Sequence, residues 1–116
     1  MHIEQRSAGD IVILDLHGKL AAGDTVVKHT IDALVSSGVR KVLLNFADVP
    51  YMDSVGLNAI VRAHLALGRV GGGLRLVGVP RHLAHILNVT RLSTVFQLHD
   101  TEPAAIESFN RAQDGV

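Results

Sequence analysis

Apolar residues along this chain come in two rhythms, short continuous runs and stripes at helical spacing, and the two alternate from one end to the other. Ile11 to Leu16 is an apolar run closed by His17-Gly18. Before it His2 to Arg6 alternate loosely and Ser7-Ala8-Gly9-Asp10 supplies turn chemistry, so the pattern predicts an opening hairpin. From Asp24 onward Val27, Ile31, Leu34 and Val35 fall at helical spacing, which predicts a helix over 24–37 with Asp24 as its N-cap and Gly38 just past its end. Lys41 to Phe46 is too short for a helix and nearly continuous in apolar character, as a strand covered on both faces must be. Pro50 and a cap at Asp53 or Ser54 introduce a second helix, with Leu57, Ile60, Val61 and Leu65 on one stripe and Gly68 after the last turn. Leu74 to Val79 reads as another buried strand, and Pro80 leads into a short amphipathic helix through Leu83, Ile86 and Leu87. Val95 to Leu98 makes a last short strand. Thr101-Glu102-Pro103 then opens a final helix with Ala105, Phe109 and Ala112 on one side.

Strands separated by helices call for right-handed crossovers and a parallel sheet, to which the opening hairpin adds one antiparallel pair. The expected fold is α/β: one domain over 1–116, with a mixed, mostly parallel sheet, an N-terminal β-hairpin and about four helices. Composition fits this picture, since 47% apolar and 19% charged residues make an ordinary globular chain. The charges narrow the partners. Lys plus Arg equals Asp plus Glu at 11 each, which argues against a bulk electrostatic partner such as nucleic acid, and 3% aromatic residues cannot build a base-stacking platform. With no cysteine there is no disulfide, thiolate metal site or Cys nucleophile. No apolar run approaches the roughly 20 residues that span a bilayer, and Met1 to Gly9 lacks the apolar stretch of a signal peptide, so a cytoplasmic address without membrane insertion is expected. A monomer is the plain expectation.

The most informative chemistry lies in Tyr51-Met52-Asp53-Ser54-Val55-Gly56-Leu57, where a carboxylate, a hydroxyl and a glycine meet as a loop after a central strand becomes a helix. Capping alone explains an Asp or Ser there. A serine at a helix N-terminus is also within reach of solvent, and phosphate added to it brings about −1.5 to −2 charges where backbone N–H groups tolerate an anion. Met52-Asp53-Ser54-Val55-Gly56-Leu57 resembles the Asp-Ser-small-Gly-Leu signature of the STAS-domain anti-sigma-factor antagonists. Leu16-His17-Gly18-Lys19-Leu20 resembles the Gly-x-Leu segment that ends the family's second strand, and Val42 to Phe46 the strand before the signature. Leu74 to Gly78, Val89 to Phe96 and Ala105 to Phe109 are similar to its C-terminal half, so nearly the whole chain is covered. The resemblance implies a binding protein without turnover. It would dock on an anti-sigma factor that is also a serine kinase, free a sigma factor, be switched off by phosphorylation at Ser54, and be restored by a metal-dependent Ser/Thr phosphatase. On this reading Asp53, Ser54, Val55, Gly56 and Asn58 face the partner, and Asp24 stands where the family carries a loop acid. Val55 occupies a place where the family more often has Ser, Ala or Thr, and Asn58 one where Gly is common. The alternative is a constitutive STAS adapter, in a lipid-transport complex or a stress-signalling scaffold, in which Ser54 stays unmodified.

Other chemistries fit less well. Gly68 and Gly73 have phosphate-loop spacing, but Leu74-Arg75 replaces the Lys-Ser/Thr pair and the segment follows a helix instead of a strand. A hydrolase elbow around Ser54 needs glycine where Met52 stands. His82 and His85 share a helix face, yet no third ligand lies near, and the remaining histidines are scattered over His2, His17, His29, His64 and His99, so no metal or cofactor is expected. No pair of acids ends an earlier strand to hold magnesium beside Asp53.

Overall fold

The computed structural model describes residues 1–114, with side chains described through Arg111, so Ala112 of the expected apolar stripe lies outside the described residues. Five strands, β1 (His2–Ala8), β2 (Ile11–His17), β3 (Lys41–Asp48), β4 (Gly73–Val77) and β5 (Gln97–His99), form one sheet in the spatial order of the sequence. The helices are α1 (Val26–Ser36), α2 (Ser54–Arg69), α3 (Arg81–Val89) and α4 (Glu102–Asp114), with a 3₁₀ turn at Leu92–Thr94 that periodicity does not foretell. The pair β1–β2 is antiparallel and the rest parallel. Strand β1 runs further than its sequence suggests, because Ala8 pairs with Ile11 and only Gly9-Asp10 remains as a two-residue loop. Gly9 has φ +64, the positive value such tight hairpins require.

Sequential strand order makes every crossover step in one direction, and right-handed crossovers then put α1, α2 and α3 on one face. That face holds the larger core: Val12, Leu14 and Leu16 from β2, Val42, Leu44 and Phe46 from β3, and Leu74 and Leu76 from β4, under Ile31, Ile60 and Leu83 of the three helices. Among the described residues the opposite face is covered by α4, whose Ala105 and Phe109 pack on Ile11, Ile13, Leu43 and Val77. Beyond α4 this face is polar. Arg6 holds both Asp15 and Glu102 at 2.6 Å, and Asn45 donates to Asp15 at 2.9 Å. At the far end of the same strands His17 donates through Nδ1 to Asp48 at 2.8 Å.

Several details depart from the sequence reading, among them the last strand, which runs over Gln97–His99 instead of Val95 to Leu98. Thr25, not Asp24, stands at the N-cap of α1 and makes no side-chain cap bond; Asp24 reaches the first turn from one residue back, accepting from the Val26 N–H at 2.9 Å. Helix α2 continues through Gly68 to Arg69 and is closed by Gly71, φ +76. Its buried line is Gly56, Ile60, Ala63 and Leu67, while Leu65 is half exposed. The reason is angular: Leu67 lies two turns beyond Ile60, back on the same line, whereas Leu65 has rotated away from it. Strand β4 ends at Val77 because Gly78 turns the backbone with φ +69.

Candidate functional site

The C-terminal ends of β2 and β3 deliver two loops to one edge of the sheet, residues 18–25 and 49–53, and the loops are sewn together by backbone. Gly18 N–H donates to Asp48 O, Leu20 N–H to Tyr51 O and Asp53 N–H to Leu20 O, and Leu20 and Met52 form an isolated parallel bridge. Asp53 locks the seam. One oxygen of its carboxylate accepts from Gly56 N–H at 2.8 Å and caps α2, while the other accepts from Ala22 N–H at 2.9 Å across the gap. These donated hydrogen bonds hold its pKa below the ordinary carboxylate value, Gly56 and Ala22 contributing most. Gly56 is required by the same seam: a Cβ on it would lie 2.0 Å from Leu20 O, inside any allowed contact.

Ser54 is the first residue of α2 and is exposed, and its hydroxyl makes no hydrogen bond to any described residue. Tyr51 and Val55, close by in the sequence, are about half exposed, at 50% and 54%. Asn58, one turn on, is exposed as well. Asp24 meets this group across a groove between α1 and α2, about 630 Å³ in volume, that Asp24, Val55 and Asn58 all line. Its second oxygen lies 3.0 Å from the Met1 amino nitrogen; burial pushes its pKa up, but the bonds from Val26 N–H and then from that amino group together hold it below the ordinary value. The structure thus brings Asp24, Asp53, Ser54, Val55 and Asn58 to one surface and sets Gly56 beneath it.

Sequence reasoning misses two supports of this surface. The Ala21-Ala22 backbone that receives Asp53 has no polar side chain to flag it, although the Leu16 to Leu20 resemblance points to the neighbouring residues. His82 of α3 donates through Nε2 to the carbonyl of Pro50 at 2.9 Å and fixes the far side of the serine loop. No signal in the sequence joins those two residues. Among the described residues no group of three His, Asp or Glu side chains is placed to hold a metal ion.

The STAS domain family matches residues 2–105. A relative from Thermotoga neapolitana named "Putative anti-sigma factor antagonist TM1081 homolog" is 31% identical over 80 residues, covering 69% of this chain and 71% of its own. Among solved structures, the Thermotoga maritima protein of the same description superposes with a TM-score of 0.88 at 26% identity, over 94% of this chain and 95% of its own. The Bacillus cell fate determinant SpoIIAA, solved in its phosphorylated form, shares the fold at a TM-score of 0.70 and 20% identity, over 92% of this chain and 98% of its own.

Proposed function

The chain belongs to the STAS domain family, and from that premise we propose that it is an anti-sigma-factor antagonist switched by phosphorylation of Ser54. It binds an anti-sigma factor of the serine-kinase type in the cytoplasm, releases a sigma factor, and is the substrate of its partner instead of a catalyst. A metal-dependent Ser/Thr phosphatase resets it. The observation that carries the reading is Ser54 itself, an exposed hydroxyl without a hydrogen-bond partner among the described residues, at the N-terminus of a helix whose cap is already supplied by Asp53. A serine used for capping would have its hydroxyl engaged with the backbone. Since the cap does not depend on Ser54, phosphate can be added without unwinding α2.

The same geometry supports a loss of binding on modification. A dianion placed on Ser54, next to the exposed Val55 and in the middle of a docking surface, must be desolvated or meet partner charge. About 3 kcal/mol of such a penalty is a hundredfold in affinity. The test is capture from native cell extract with the wild type, Ser54→Ala and Ser54→Asp as parallel baits, with Ser54 occupancy read by mass spectrometry. A kinase-fold regulator held by wild type and Ser54→Ala but not by Ser54→Asp supports the switch. Transporter or scaffold subunits on all three baits, with Ser54 unmodified, overturn it in favour of a constitutive adapter.

A further inference from the structure

The groove between α1 and α2 has a chemistry that the serine alone does not explain. Its apolar lining is Ile31 of α1 and, from α2, the small Ala59, Ala63 and Ala66, which leave room between the two helices. Leu65 lies exposed at its edge, 50% open to solvent. Its charged lining is mixed, Lys28, Arg62 and Arg69 against Asp24 and Asp32. Arg62 and Arg69 line the groove from α2, and among the described residues neither makes an ion pair with an acid. The acids nearby are already engaged: Asp32 is 3.9 Å from Lys28 on its own helix, and Asp24 is held at the Met1 amino nitrogen. Arg62 and Arg69 are seven positions and two turns apart, so their Cα atoms lie along one line at about 10 Å.

We infer that this groove takes an acidic amphipathic helix from the partner, its apolar face on the alanine lining and two carboxylates about two turns apart on Arg62 and Arg69. An occupant of that kind satisfies both halves of the site, whereas a nucleic acid would use the two cations and leave the apolar lining uncovered. The groove begins at Val55, the residue after Ser54, so phosphate on Ser54 places like charge at the mouth through which an acidic segment must lie. This inference rests on the reading of the Ser54 surface as the docking face, and it adds the partner's chemistry.

The probes are a stapled helical peptide about four turns long, with leucines on one face and two glutamates seven residues apart, and the same peptide with lysines at those two places. Each is titrated into the full chain while backbone amide shifts are followed. The glutamate peptide should move α1 and α2 signals and bind at least tenfold more tightly than the lysine peptide, and Arg62→Glu with Arg69→Glu should reverse that order. Arg62→Gln with Arg69→Gln, milder and checked for an unchanged melting curve, should level the two peptides. Equal binding of both peptides by the wild type, shifts confined to other elements, or displacement of the glutamate peptide by a short single-stranded oligonucleotide would overturn the inference. The two readings fail separately, because the peptides test the groove with Ser54 unmodified, while the three baits test Ser54 whatever the partner's helix carries.

Discussion

At the residue scale the site turns on one carboxylate doing two jobs. Asp53 closes the first turn of α2 and fastens the loop from β2 to it, and making both bonds at once needs the ionised form. Its pKa is lowered in the fold, as are those of Asp15, under Arg6, and Asp10, under Lys41. A carboxyl whose folded pKa lies below its unfolded value near 3.9 contributes stability that is fully present above that value and lost as pH falls through the folded one. From the carboxyls the melting temperature should drop below about pH 4, on top of an earlier decline as pH falls below about 6.5, where His99, its pKa lowered chiefly by burial, must take up a proton. Asp53→Asn caps through its one oxygen but cannot also accept from Ala22 N–H, so it should melt lower at neutral pH and lose less on acidification. Thermal melts across that range decide it, and a fall as steep as the wild type's would contradict the role given to Asp53. Little of this was legible beforehand: the Asp-Ser-small-Gly-Leu pattern named Asp53, but its second acceptor bond ends on a backbone that carries no side-chain signal. Arg75 was equally unreadable among scattered arginines. It is buried on β4, stacked on Phe109 at 4.4 Å and donating to Ser108, with its pKa pushed down by burial.

At the scale of elements, α2 joins the site to the core, and its two glycines have opposite duties. Gly56 lies against Leu20 O and has no room for a methyl group, whereas Gly68 has nothing within 4 Å of a built Cβ. Gly56→Ala should destabilise the fold by about 1–3 kcal/mol through overpacking and push the 18–25 loop off Asp53. Gly68→Ala should be neutral or stabilising by up to about 1 kcal/mol, since alanine is the better helix former in the last turn of α2. Urea unfolding of the two variants checks both signs, and destabilisation by Gly68→Ala would place the end of α2 where sequence alone puts it. That misplaced end has a physical cause. Glycine is a common stop signal, but the stop comes at Gly71, where φ is positive, and periodicity cannot tell which of two nearby glycines will take that conformation. Leu65 was misplaced for a different, angular reason, and its exposure is what gives the groove an apolar edge.

For the whole molecule, the alternation of buried runs and helical stripes was enough to anticipate a parallel sheet with a leading hairpin, because strand order and handedness leave few other ways to connect those elements. Which loops would meet was not in that pattern; it follows from β2 and β3 lying side by side and ending at the same edge. The layering also separates stability from function. Phe109, 3% exposed, packs on the face away from Ser54, so Phe109→Ala should cost about 3–5 kcal/mol in unfolding while leaving partner capture unchanged under conditions where the chain remains folded. Loss of capture by a folded Phe109→Ala chain would mean that α4 belongs to the docking surface. No described helix is long and apolar enough to cross a membrane. The most direct test of the account is a titration of the captured anti-sigma factor with the chain unmodified and with the chain phosphorylated at Ser54. A loss of about a hundredfold in affinity on phosphorylation is the result the account predicts, and equal affinity of the two forms would contradict it.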